Sequence, residues 1–127
     1  MKTTFRLIIS AYLLLTAGYS FALEITPYTP DAFTAAQKAG KPVAVHFHAD
    51  WCPTCRVQDK ILSDLKADAS LPVTVYVINY DQDLEARKTF RVASQSTLLI
   101  FHGTKQTSRS AFETDPAKLR AALKSAL

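Results

Sequence analysis

Only two cysteines occur in the 127 residues, and they stand three apart, at Cys52 and Cys55. The run before them, Val43-Ala44-Val45-His46-Phe47-His48-Ala49, is strand-like and alternates between two faces. The run after them carries apolar residues at helical spacing. The pair therefore sits where a strand hands over to a helix, inside Ala49-Asp50-Trp51-Cys52-Pro53-Thr54-Cys55-Arg56. A bridge from Cys52 to Cys55 would close a very small loop, and the stabilisation from loop closure grows with loop length. The spacing suits thiol chemistry better than a structural staple.

The position also selects between the two thiols. A thiolate, not a thiol, attacks a disulfide. Cys52 is expected at the helix start, where unpaired backbone N–H groups and the positive end of the helix dipole favour an anion. Such surroundings bring a cysteine pKa from about 8.5 to between about 3.5 and 7.5. Cys52 is thus the expected nucleophile. Cys55, one turn later and deeper, is expected to resolve the mixed disulfide. Pro53 suits the first helical turn, where its missing N–H needs no partner. The Thr54 hydroxyl is a weaker candidate donor to the thiolate.

The rest of the chain reads as alternating elements. Glu24–Tyr28 is a strand. Thr29-Pro30-Asp31 opens a helix with Phe33, Ala36 and Ala39 on its apolar side, and Gly40 stops it. After the strand over 43–49, a helix is expected from Cys52 to about Ala69, with Val57, Ile61, Leu62 and Leu65 as its buried stripe. Val73–Ile78 is the next strand. Asp81-Gln82-Asp83 caps a helix near Leu84 to Phe90. Thr97–His102 is a third strong strand, Lys105–Phe112 an edge strand, and Asp115-Pro116 opens a last helix with Leu119, Ala122, Leu123 and Leu127. Early alternation followed by paired strands predicts one α/β domain with a mixed sheet of four to five strands between helices.

Residues 1–22 read as a secretory signal. Lys2 and Arg6 are its positive region, Leu7 to Ala17 its apolar core, and Ser20-Phe21-Ala22 fits a small-x-small cleavage site. An uncleaved anchor is the alternative, at the short limit for a span. Cleavage after Ala22 leaves a domain over 23–127 and places it outside the cytosol, where thiols meet oxidising surroundings. The expected location is the periplasm, with membrane contact only transient, through the signal. The net charge of +4 includes Lys2 and Arg6. Without a basic cluster, it gives no argument for nucleic acid.

Metal binding or delivery stands beside the redox assignment. Cys-x-x-Cys is half of many zinc sites, and His46 or His48 would be needed to complete one. Both histidines lie on a stiff strand before the motif.

Trp51-Cys52-Pro53-Thr54-Cys55 at a strand-to-helix turn resembles the thioredoxin superfamily, and the likeness runs through most of the chain after the signal. Val43–Ala49 resembles that family's central strand. Phe90-Arg91-Val92 with Ser96-Thr97-Leu98-Leu99-Ile100-Phe101 resembles the later segment that faces the cysteines. Ala49-Asp50-Trp51-Cys52 and Lys60-Ile61-Leu62-Ser63-Asp64 are similar to the periplasmic thioredoxin-like domain of bacterial transmembrane disulfide reductases. The resemblance implies a three-layer sandwich and a thiol–disulfide oxidoreductase without a cofactor. It also implies two kinds of partner: exported thiol or disulfide proteins, and a redox partner that resets the pair. Trp51, Pro53, Thr54, Gln95, Ser96 and Thr97 would form the docking rim.

Two positions depart from the family. Ser96 stands where a cis-proline is usual. A cis bond before a non-proline residue costs about 2.5–4 kcal/mol, so Gln95–Ser96 is expected trans, with the Ser96 N–H and hydroxyl offered to the site. His46 stands at the buried acidic position that, in thioredoxin, helps move the resolving cysteine's proton. An imidazole can do that work near neutral pH, and a core histidine with one satisfied nitrogen is the alternative. His48 replaces an aromatic residue, and His102 ends its strand.

Overall fold

A computed structural model describes residues 22–127. The expected signal lies, but for Ala22, outside the described residues. Among the described residues nine elements follow in order: β1 (Glu24–Pro27), α1 (Pro30–Lys38), β2 (Pro42–His48), α2 (Pro53–Leu65), β3 (Thr74–Asn79), α3 (Leu84–Thr89), β4 (Thr97–His102), β5 (Lys105–Ala111) and α4 (Pro116–Lys124). The strands form one sheet ordered β1-β3-β2-β4-β5. β3 runs parallel to β1 and to β2, whereas β4 runs antiparallel to β2 and β5.

Caps set the helix starts. Thr29 accepts from the Ala32 N–H at 3.2 Å and Asp83 from the Ala86 N–H at 2.9 Å. Asp115 accepts from the N–H groups of Ala117 and Lys118. Each side chain satisfies a donor that the first turn leaves unpaired. Pro30, Pro53 and Pro116 occupy first helical positions, as their fixed φ favours. The second helix is shorter than expected: it ends at Leu65 with Lys66 as its cap, and a turn leads to the buried Leu71.

β2 is the centre of the sheet and is buried from Val43 to Phe47. Its alternation divides the core. Val43, Val45 and Phe47 join Phe33 and Ala36 of α1, Ala86 of α3, and Tyr76, Leu99 and Phe101. Ala44 joins Ile61 and Leu62 of α2, Leu119 and Leu123 of α4, and Val75, Leu98 and Ile100. Helices thus cover both faces, giving the three layers. His46, next on the second face, lies among these apolar residues and is completely buried.

The buried stripe of α2 needs one correction. Val57 is 46% exposed, and the inward residues are Cys55, Gln58, Ile61 and Leu62. The stripe is phased by Cys55 at the N-terminus, so it passes through Gln58 one residue after Val57. A polar amide is thereby carried into the interior. On α1, Ala39 caps the helix and is exposed.

Candidate active site

Cys52 is the N-cap of α2, and its sulfur accepts from the Cys55 N–H at 3.2 Å. Both cysteines are free and buried. Ala49 packs with them, and Tyr80 closes the cluster. Tyr80 also donates its hydroxyl hydrogen to the Ala93 carbonyl at 2.9 Å, tying the segment before β4 to the pair. Trp51 is 57% exposed, with its indole N–H donating to Asp81 at 2.8 Å. Pro53 is exposed on the same rim and Arg56 is exposed, its guanidinium reaching the Asp50 carbonyl.

Ser96 meets the cysteines directly. Its Oγ lies 3.1 Å from Cys52 Sγ and 3.0 Å from Cys55 Sγ. The peptide bond before it is trans, and Ser96 has a φ of +58°. The sequence leads us to expect its N–H at the site, and here the structure differs. The N–H donates to the Phe47 carbonyl at 2.8 Å, because the loop folds back against the end of β2. Gln95, half-buried beside it, remains on the rim. Thr97 is buried and donates to the Ser94 carbonyl at 2.8 Å, so it staples the loop rather than lining the rim.

Gln58, which the sequence pattern gave no reason to single out, holds this loop. Its Nε2 donates to the carbonyls of Ser96 at 3.1 Å and Glu113 at 2.9 Å. Carbonyls only accept, so the amide orientation is settled and Oε1 faces His46 Nε2 at 2.9 Å. His46 therefore carries its proton on Nε2. Its buried Nδ1 has no hydrogen-bond partner among the described residues and lies 3.7 Å from an Asp59 oxygen. Asp59 also reaches His48 Nδ1 at 3.2 Å, and His48 Nε2 lies 3.1 Å from Asp50. The one signal for Gln58 in the sequence is its place three residues after Cys55 and three before Ile61.

The two thiols are driven apart. Burial opposes ionisation of Cys52. The hydrogen bonds from Cys55 and Ser96, and from the backbone N–H groups of Cys55 and Thr54, outweigh it and hold the Cys52 pKa below the ordinary thiol value. Thr54 contributes here through its N–H, not the hydroxyl singled out from sequence. Burial pushes the Cys55 thiol up, reinforced by its hydrogen bond to Cys52 and by the Cys52 charge. His46 is lowered, chiefly by burial, against the opposing influence of Gln58 and Asp59, so it is neutral near pH 7.

His46 meets Gln58 rather than a cysteine. Among the described residues, no group of three or more His, Cys, Asp or Glu side chains is arranged to hold a metal ion. His102 serves the fold: its Nδ1 donates to the Ala126 carbonyl at 2.8 Å.

The thioredoxin family model matches residues 24–125. The chain belongs to the thioredoxin family. It is 35% identical over 71 residues to the thioredoxin of Alicyclobacillus acidocaldarius subsp. acidocaldarius, spanning 56% of this chain and 68% of that one. It is 38% identical over 68 residues to a Chlamydia pneumoniae thioredoxin, covering 53% of this chain and 65% of the relative. Among solved structures, Trxlp from Edwardsiella tarda EIB202 superposes with a TM-score of 0.75 at 39% identity, covering 79% of this chain and 98% of that one. The Trypanosoma brucei brucei thioredoxin, at 18% identity and a TM-score of 0.68, shares the fold; the match covers 82% of this chain and 90% of that one. Thioredoxins are thiol–disulfide oxidoreductases, and a thioredoxin-family oxidoreductase with two adjacent cysteines is what this chain is.

Proposed function

We propose that this protein is an exported thiol–disulfide oxidoreductase in which Cys52 attacks a substrate disulfide and Cys55 resolves the product. The supporting observation is the opposite displacement of two neighbouring thiols, with the lowered one at a helix N-terminus. The Cys52 thiolate forms a mixed disulfide and expels the first substrate thiolate. Cys55 then attacks Cys52 Sγ, closing the Cys52–Cys55 bond and releasing the second. Two electrons pass to the substrate, and the reverse sequence donates the bridge. Trp51, Pro53 and Gln95 form the rim on which the substrate docks.

Export rests on the pattern of Lys2, Arg6, the apolar run and Ser20-Phe21-Ala22. It places the domain in the periplasm, with exported proteins as substrates and a separate redox partner to reset the pair. Potentials in this chemistry run from about −270 to about −120 mV, and the value here decides the direction of electron flow.

Insulin reduction with dithiothreitol tests the chemistry. The native chain accelerates it, and Cys52→Ser and Cys55→Ser abolish the acceleration. A native chain with both thiols free and no activity would sink the assignment. Export is tested on full-length protein expressed in a Gram-negative host: a periplasmic product beginning at Leu23 supports it, and an unprocessed cytosolic chain overturns it.

A further inference from the structure

We propose that Ser96 is itself a catalytic residue, its hydroxyl donating to whichever of the two sulfurs is ionised, and that Gln58 is the positioning residue that keeps it there. This rests on the assignment of Cys52 and Cys55 as the exchanging pair.

A hydroxyl has one hydrogen to give and two lone pairs to receive. Ser96 Oγ stands almost equally far from both sulfurs, 3.1 and 3.0 Å, and they are its only hydrogen-bond partners among the described residues. With Cys52 ionised, its sulfur only accepts. The Ser96 O–H then points to Cys52, beside the Cys55 S–H. Once Cys52 is bonded to a substrate sulfur, its charge is gone. The Cys55 proton passes to solvent, the Ser96 hydroxyl turns about its Cβ–Oγ bond, and it donates to the Cys55 thiolate. Cys55 attacks Cys52 Sγ, the substrate's sulfur leaves as a thiolate, and solvent protonates it. The hydroxyl gains and loses no proton over the cycle.

The loop's backbone gives independent support. At a φ of +58° a glycine costs nothing, and a non-glycine residue is uncommon. Such strain persists where neighbours over-determine it. Here the Ser96 N–H is held by Phe47, and its carbonyl accepts from the Phe112 N–H at 2.9 Å and from Gln58 at 3.1 Å. A residue needed only for the turn would bring no buried hydroxyl. Gln58 is in turn locked by Glu113 and His46, so the orientation of the Ser96 peptide follows from the interior of α2.

The test is a titration of the reduced protein, following thiolate absorbance at 240 nm and the pH dependence of Cys52 alkylation. Ser96→Gly accommodates the φ and removes the hydroxymethyl side chain. It is expected to raise the Cys52 pKa by about one to two units, the worth of a hydrogen bond to a charged group. Resolution is read from thionitrobenzoate release by the Cys52 adduct. Each unit added to the Cys55 pKa removes about tenfold of its thiolate and returns about threefold in nucleophilicity, a net slowing of about threefold. Gln58→Met is expected to shift the Cys52 titration in the native background and not in Ser96→Gly, since it acts through Ser96. Unchanged Ser96→Gly curves would overturn the catalytic role, and additive Gln58 and Ser96 shifts would overturn the positioning role. The titration uses no substrate, so it can fail while insulin reduction succeeds, and the reverse.

Discussion

The two faces of the sheet are built on different terms. On the α1 and α3 face, Phe33 packs against the rings of Tyr28, Tyr76, Phe90 and Phe101 with centroids 5.4 to 5.8 Å apart. That cluster's side chains are apolar or aromatic throughout. On the α2 and α4 face, an apolar base gives way toward the cysteines to His46, Gln58 and Ser96, all buried and joined by hydrogen bonds. β2 separates the two, serving one face with Val45 and Phe47 and the other with His46. Apart from Tyr80, which packs against both this cluster and the cysteine pair, the dry face can supply stability without touching a reacting atom. The wet face accepts buried polarity, which is tolerable only when nearly every group finds a partner.

That contrast can be broken most heavily on the dry side. Phe33→Ala is expected to cost about 3–5 kcal/mol in urea unfolding while leaving insulin reduction per folded molecule unchanged. Equal loss of both would show that the faces are not separable.

The wet side is expected to reveal itself through pH. Burial lowers the His46 pKa, so the folded protein binds that proton less readily than the unfolded chain does. The stability due to this group is complete above about pH 6.5, its unfolded value. It declines as pH falls toward the folded pKa, by up to about 1.4 kcal/mol per unit. His46→Leu should flatten that slope in urea titrations between pH 7 and 5, and an identical slope would remove His46 from the account.

The smallest effect belongs to a surface contact away from both cores. Asp68 is held at a pKa of about 2, first by the Ser70 hydroxyl and N–H and then by Arg120, whose Nε lies 2.8 Å away. Its contribution is present above the unfolded value of about 3.9 and is lost as pH falls toward the folded one. Arg120→Ala should leave the neutral-pH urea midpoint almost unmoved. In an NMR titration, Asp68 should stay below the ordinary carboxylate range. A return to that range would show that the guanidinium, not Ser70, holds it.

The dry face was the more legible one. Alternation in 43–49, β-branched runs, and caps at Thr29, Asp83 and Asp115 are local signals, and they located all nine elements. Cys52 and Cys55 were equally plain, because the strand-to-helix handover is written in consecutive residues. Gln58 was not. Its partners, the carbonyls of Ser96 and Glu113, lie 38 and 55 residues away, and its spacing from Cys55 and Ile61 is the one local sign that it turns inward. Ser96 was visible as a departure, yet the fate of its N–H was hidden, because a left-handed serine carries no local mark.

The left-handed backbone at Ser96 limits which residues position 96 accepts. Proline holds φ near −65° and has no N–H, so it cannot adopt the φ of +58° or keep the bond to Phe47. The residue usual in the family is therefore not one tolerated substitution away. Restoring it would require Ser96, Phe47, Gln58 and Phe112 to give up their mutual bonds together. Position 96 is thus closed to proline by the geometry of its neighbours, whatever the chemistry at the sulfurs requires.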